Sequence, residues 1–380
     1  MKYFLIAGEP SGDLHGSNLM RGIVEADPDA EFRFWGGDKM AEVGGVENLG
    51  LHYRESSFFG LMQVVWNLPT ILGQLKRCKA QIEAFAPDVV ILIDYAGFNL
   101  KIARFAKERG ILSYYYIAPK VWAWDESRIE KIRRYVDELF VIFPFETEYF
   151  AKHNIESHFE GNPLVDAIAQ RRLTIPSREE FLSRNTLDER PIVALIAGSR
   201  GSEIKINLPL MVIAAAEFPD YQFVVAGVDW LPSESYTKWL NGSDIRLVDS
   251  QTYELLHHSE AAIVTSGTAT LETALIGTPQ VVLYRLPWIQ DLLKSLVLKI
   301  PFISLVNINL GRMAVKEIMQ SSLDPTAVVE SLRRILRGGT ERERVLGDYD
   351  TLREIIGSER ASQRFATRMV QLLRESKGRR

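Results

Sequence analysis

An α/β fold of two parallel-sheet domains is what this sequence predicts. Three observations predict it: apolar runs alternate with segments of helical spacing, the alternation restarts half-way along, and 380 residues exceed one ordinary core. The first series of runs is Lys2–Gly8, Asp88–Asp94, Ile111–Ala118 and Glu138–Phe143, each short and rich in β-branched or aromatic residues. Between them, Asn18–Ala26 and Asn99–Gly110 carry apolar residues at helical spacing. The second series begins at Pro191–Gly201 and continues through Tyr221–Gly227, Asp244–Asp249, Ala261–Gly267 and Pro279–Arg285. Strands alternating with helices imply a parallel sheet, so two series imply two Rossmann-like domains, expected to face each other across an active cleft. The expected domains are residues 1–172 and 186–345, with a linker and its preceding helix in the charged stretch Gln170–Arg190. The arginine-rich segment 346–380 has helical spacing and is expected to pack back on the first domain; a solvated helix face explains its charge better than a binding tail.

Composition narrows the function. Apolar residues at 46% and charged ones at 25% describe a folded globular chain, and a formal net charge of −4 supplies no global basic field for nucleic acid. The one cysteine, Cys78, excludes an intrachain disulfide or a thiolate metal site. The N-terminal run breaks into glycine and acid before a signal-peptide core is complete, which points to the cytoplasmic side.

The chemistry-bearing residues fall at the carboxyl ends of the expected strands. Ala7–Gly16 follows the first strand and opens a helix; Glu9 and Asp13 there disfavour a pyrophosphate and suit neutral sugar hydroxyls, with Ser11 beside them, although a bare strand-to-helix turn also explains the glycines. Asp94 ends the run Val89–Asp94, so its carboxylate emerges at a strand tip, and partial desolvation would suit it to deprotonating a sugar hydroxyl. The alternative is a helix cap, a role that Asn99 could fill instead; Asn99 otherwise joins the sugar-facing set. Trp122 and Trp124 are candidate sugar platforms, and the cations that follow, Arg128, Lys131, Arg133 and Arg134, could neutralise an acceptor phosphate; core packing and a solvated helix are the competing readings. In the second half, Gly198, Ser199 and Arg200 form the matching turn, where a cation beside a helix N-terminus could hold a diphosphate, unless Arg200 merely pairs with Glu203 on the surface. Ser266, Gly267 and Thr268 stand at another strand-to-helix junction with Glu272 one turn later, an arrangement for phosphate oxygens and a ribose diol; an N-capped helix with a solvent-facing glutamate is the plain alternative. No metal is expected: the tripeptides Asp27–Asp29 and Asp348–Asp350 lie away from strand tips, and the histidines lack ligand spacing.

One stretch is unusual for a soluble surface. No residue from Ser56 to Leu75 is charged, and Phe59, Leu61, Met62, Val65, Leu68 and Leu72 give it apolar bulk. Pro69, Gly73 and several amides argue against a spanning helix, leaving an interfacial or lipid-contacting segment or a core helix with its loop. A second candidate is Arg285–Phe302, where Lys294 and Lys299 sit among apolar residues as an anionic membrane surface would favour.

Seven strings in order, AGEPSGD, IDYAGFN, PKVWAWDESRIEKI, GSRGSEI, SGTATLETAL, the pair Tyr284–Arg285, and SLVNINLGR with VKEIMQ, resemble the motif set of the lipid-A-disaccharide synthase family. They span Ala7 to Gln320. The resemblance implies a GT-B glycosyltransferase that joins a UDP-linked 2,3-diacylglucosamine to 2,3-diacylglucosamine 1-phosphate, releasing UDP and forming a β-1,6 disaccharide. It implies Asp94 and Glu9 as catalytic carboxylates, and Arg200, Glu272 and Asn307 at the UDP moiety, with Tyr284 and Arg285 in the same nucleotide set. Two positions depart from the family pattern: Gly97 stands where a second aspartate is usual, and Lys120 replaces a small residue, suggesting that it holds an anionic group. The implied partners are an acylated UDP-sugar donor, an acylated sugar-phosphate acceptor and the cytoplasmic face of the inner membrane; the oligomeric state is left open, a homodimer included. UDP-sugar is here substrate, not cofactor. An α-linked donor giving a β product implies single inverting displacement, with Asp94 as base. A UDP-sugar epimerase of the same fold, an inactive membrane-binding relative and a Rossmann oxidoreductase are the competing readings; neither glycine turn reads GxGxxG, which disfavours the last.

Overall fold

A computed structural model describes residues 1–56, 68–124, 126–240, 242–285, 302–320 and 322–378. The chain divides into two compact units, Met1–Asp166 with Ile356–Arg380, and Ala167–Ile355. Among the described residues no helix is long and apolar enough to cross a membrane.

Unit 1 is built on a seven-stranded sheet in the order β3-β2-β1-β4-β5-β6-β7. The strands are β1 (Lys2–Ala7), β2 (Glu31–Gly36), β3 (Leu49–His52), β4 (Val89–Ile93), β5 (Leu112–Tyr116), β6 (Glu138–Val141) and β7 (His158–Phe159). All described pairings are parallel. The continuous apolar runs of β1 and β4 are buried on both faces, as helices covering a parallel sheet require. Phe4, Ile6, Val90 and Leu92 pack with Phe98, Ile102 and Phe105 on one face. Tyr3, Leu5, Val89 and Ile91 pack on the other with Leu19, Met20 and Ile23 of the helix Pro10–Ala26. That second face also takes Phe365, Ala366, Met369, Val370 and Leu373 from the terminal helix Ala361–Gly378. The two helices approach so closely that a Cβ at Gly22 would lie 2.8 Å from that of Ala366. Asp166 fixes the start of the terminal helix by accepting from the Ala361 and Ser362 amides at 3.1 and 2.8 Å.

Unit 2 repeats the plan with six strands in the order β10-β9-β8-β11-β12-β13. These are β8 (Ile192–Ile196), β9 (Gln222–Gly227), β10 (Arg246–Asp249), β11 (Ser259–Thr265), β12 (Gln280–Arg285) and β13 (Lys316–Gln320). The stretch 170–190, where a linker and its preceding helix are expected, holds one element more. It holds the end of the helix Pro163–Arg172 and a further helix, Arg178–Arg184, whose Phe181 and Leu182 are buried in the unit 2 core. Two adjacent apolar residues in seven make no periodic stripe, which is why the sequence does not announce this helix.

In both sheets the strand order reverses beside the first strand, between β1 and β4 and between β8 and β11. Loops leave opposite faces at such a point, so the carboxyl ends of these strands open a crevice in each unit.

Candidate active site

In unit 1, register aligns the strand ends: Ala7 pairs with Ile93, and Ile93 with Tyr116. The residues that follow, Gly8–Glu9, Asp94–Tyr95 and Ile117, therefore share one edge. Asp94 and Tyr95 are consecutive left-handed residues with φ of 45° and 49°, and Ile117 has φ 61°. Non-glycine residues held there cost about 1–3 kcal/mol each, so the surroundings must enforce the bend. They do so at the Asp94 carbonyl, which accepts from Tyr115 Oη at 2.5 Å and Asn99 Nδ2 at 2.8 Å. The Asp94 amide donates to the Tyr116 carbonyl at 3.1 Å. Gly8 completes the arrangement, since a Cβ there would lie 2.5 Å from the Tyr95 ring, which stacks on Phe98.

Solvent reaches the Asp94 side chain, yet protein crowds its other sides. Desolvation consequently pushes its carboxyl above the usual aspartate range, opposed by the Lys120 cation and the Tyr95 backbone amide. Lys120 is exposed, as is Ser11 in the first turn of the helix Pro10–Ala26. Glu9, half-buried at the start of that helix, raises the Tyr95 hydroxyl pKa through its charge, second to burial. The edge thus assembles Glu9, Ser11, Asp94 and Lys120. A Cβ at Gly97 meets nothing within 4 Å, so the aspartate absent from this position would fit.

Three residues expected to face a sugar do not. Asp13 is buried, accepting from the amides of Gly37 (2.7 Å), Lys39 (3.1 Å) and Met40 (3.1 Å), which caps the helix Asp38–Gly44. Asn99 is wholly buried and its Nδ2 serves the carbonyls of Ile93 and Asp94, so it shapes the bend from beneath. Trp122 packs in the core, edge-on to Phe145, and donates from Nε1 to Glu146 at 3.0 Å. Glu146 itself is a buried carboxylate that also receives the Ile142 and Phe143 amides; burial raises its pKa to about 7. Of Trp124 only the backbone is described, ending the helix Val121–Trp124. Phe59, Leu61, Met62 and Val65 lie outside the described residues, as does the Leu68 side chain, whereas Leu72 is 52% exposed in the helix Leu68–Phe85.

In unit 2, β8 runs into the turn Gly198–Arg200 and then the helix Gly201–Ala215. Gly198 has φ 114°, and a Cβ there would lie 2.6 Å from the Glu203 side chain. Glu203 turns back to accept from the Ser199 amide at 3.0 Å and lies 3.4 Å from Arg200, whose side chain is exposed. The next strand, β11, is followed by Ser266 and Gly267 and then the helix Thr268–Ile276, whose N-cap residue Gly267 has no side chain to cap it. Gly267 and Thr268 are exposed, while Ser266 Oγ donates to the Ile303 carbonyl at 2.9 Å. An uncapped helix start with a glycine allows anion oxygens to reach backbone amides.

Glu272, one turn in, accepts from Tyr253 Oη at 2.8 Å; burial is the main cause of its raised pKa, and the tyrosine hydroxyl opposes it. Tyr253 escaped the sequence reading because it lies on a separate short helix, Thr252–His257, and no spacing connects it to Glu272. Tyr284 is half-buried on β12; Arg285 ends that strand, described in its backbone alone.

Asn307 corrects a further expectation. It is fully buried, with Nδ2 on Val315 O and Glu317 Oε1 and Oδ1 accepting the Ala314 and Val315 amides. It fastens a loop and has no surface for a nucleotide. Glu317 further anchors that region by accepting the Ile303 and Ser304 amides.

Residues 3–369 match the family model described as Lipid-A-disaccharide synthetase. A lipid-A-disaccharide synthase of Myxococcus xanthus is 35% identical over 98% of this chain and 97% of its own. One from Coxiella burnetii is 33% identical, covering 95% and 96% respectively. Among solved structures, a UDP-GlcNAc 2-epimerase from Neisseria meningitidis bound to UDP-GlcNAc aligns with a TM-score of 0.68 at 14% identity, over 98% of this chain and all of that one. A sucrose-phosphate synthase from Thermosynechococcus elongatus gives 0.62 at 13% identity, covering 100% of both. These structural likenesses establish the GT-B type of fold, two Rossmann-like α/β units.

Proposed function

The chain belongs to the lipid-A-disaccharide synthetase family, UDP-sugar glycosyltransferases of lipid A disaccharide synthesis, and from that premise we propose its reaction in detail. It joins a UDP-linked 2,3-diacylglucosamine to 2,3-diacylglucosamine 1-phosphate, giving the β-1,6 disaccharide 1-phosphate and UDP. The observation that carries this reading is the enforced bend at Asp94–Tyr95, which presents a solvent-accessible carboxylate of raised basicity at a strand tip.

Asp94 takes the proton of the acceptor 6-hydroxyl. The oxygen forms its bond to the anomeric carbon as the bond to the diphosphate breaks, and the electron pair leaves with UDP. Attack from the side opposite an α-linked leaving group inverts the centre. Arg200 and the uncapped helix start at Gly267–Thr268 stabilise the departing charge, with Glu272, held by Tyr253, on the ribose. Glu9, Ser11 and Lys120 contact the acceptor, Lys120 through its phosphate. The acyl chains and the cytoplasmic face of the inner membrane meet the apolar stretch 56–75.

Defined acylated substrates test the reaction directly. UDP release is expected to require both donor and acceptor, and nuclear magnetic resonance of the product to show a β-1,6 linkage. Release without acceptor, or a donor epimerised at C2, would refute the transfer.

Lys120 gives a pH prediction. A base must be ionised, so activity falls as pH drops through the Asp94 pKa, which already lies above the ordinary value despite Lys120. Lys120→Ala removes the lowering charge, and the acid limb of the kcat/KM profile is expected to move to higher pH. An unmoved or lowered limb contradicts the assignment of that limb to Asp94.

A further inference from the structure

We propose that Trp230 is the stacking platform for the nucleobase of the bound nucleotide; this deepens the nucleotide site proposed for unit 2 and rests on it. Single exposed apolar residues are ordinary on protein surfaces, so exposure alone says little. Trp230 differs in how it is held. Its ring is 61% exposed, yet its Nε1 donates to the Ser199 carbonyl at 3.0 Å. The indole's one polar atom is thus satisfied by the middle residue of the Gly198–Arg200 turn, which aims the ring beside that turn.

The loop carrying it is fixed as well. Leu231 N bonds to Val228 O at 3.2 Å, and Ser233 Oγ donates to Asp249 Oδ2 at 3.1 Å, tying the loop after β9 to the end of β10. Gly227, the last residue of β9, has no room for a Cβ beside Asp249. A rigid aromatic ring with an exposed surface loses little entropy when a planar base settles on it.

Topology puts the loop on the side of β8 away from β11. β9 neighbours β8, which neighbours β11, so the carboxyl end of β9 lies two strand spacings, about 10 Å, from that of β11, and the Trp230 ring, bonded to Ser199, lies beside the strand between them. With a diphosphate at that helix start, the base of an extended nucleoside diphosphate reaches along the carboxyl edge to the β8–β9 side. Stacking there is sequence-tolerant and needs no hydrogen-bond partner from the indole.

The test uses the full chain with UDP and inorganic pyrophosphate as probes, followed by intrinsic fluorescence and calorimetry. UDP is expected to quench the native protein and pyrophosphate to leave it unchanged. Trp230→Phe is expected to abolish the quench while keeping UDP affinity within a few-fold, because a ring remains. Trp230→Ala is expected to weaken UDP binding by roughly 10- to 100-fold and leave pyrophosphate binding unaltered. Native-like UDP affinity in Trp230→Ala, or a full UDP quench in Trp230→Phe, overturns the platform while leaving the phosphate site standing. Failure of the native chain to bind UDP overturns the nucleotide site and this inference with it.

Discussion

Asp94→Asn is expected to reduce turnover by about 10²- to 10⁴-fold, the range a positioned general base contributes, while UDP affinity stays at its native value. Asparagine is the informative replacement because it tolerates the left-handed backbone at least as well as aspartate. The bend at φ 45° and 49° and the bonds to its carbonyl should therefore survive, and only the proton acceptor is lost. Stopped assays of UDP release with saturating substrates, beside calorimetric titration of UDP, check both halves of the expectation. The residual rate of the variant should also lose the acid limb. Turnover within a few-fold of native removes Asp94 as base, whatever the affinity shows.

The second large effect is on stability. Asp13→Ala is expected to destabilise unit 1 by about 2–4 kcal/mol, since it strips a buried carboxylate from three amide donors and leaves a helix start uncapped. In thermal melts that corresponds to a loss of roughly 5–15 °C for a unit of this size. Asp13→Asn should lie between, because its remaining carbonyl oxygen still accepts the Gly37 and Met40 amides. A native-like melting temperature with weakened acceptor binding would return Asp13 to the sugar-facing role that its motif first suggests.

Asp13 illustrates what the sequence can and cannot disclose. The strands and the two-fold repetition were legible because hydrophobic runs flanked by glycine, acid and helical spacing leave few other solutions. The turns at Glu9, Asp94, Arg200 and Ser266–Thr268 were legible for the same reason: in a parallel sheet, whatever follows a strand lies at its carboxyl edge. Polar residues inside those motifs were not separable by role. Asp13, Asn99 and Asn307 sit among ligand-facing candidates, yet each is turned inward to satisfy backbone groups. A buried polar side chain and a binding one obey one requirement, a hydrogen-bonding partner, and the sequence does not say whether that partner is protein or substrate. Trp122 failed similarly, because its Glu146 acceptor lies 24 residues away with no pattern to link them. Tyr253 and Trp230 went unseen for the converse reason, being isolated aromatic residues outside any motif.

The helix Ala361–Gly378 supplies one face of the unit 1 core, although the sheet it covers is complete some two hundred residues earlier. During synthesis the first half of the chain must therefore emerge with Tyr116 and Phe140 lacking their eventual cover, Phe365, until the ribosome has released the last turn. The strands of the second sheet all lie within residues 192–320, so that sheet has left the ribosome before this helix does. A stop codon before Ala361 would consequently strike unit 1, leaving a chain that chaperones hold while its other unit is already folded.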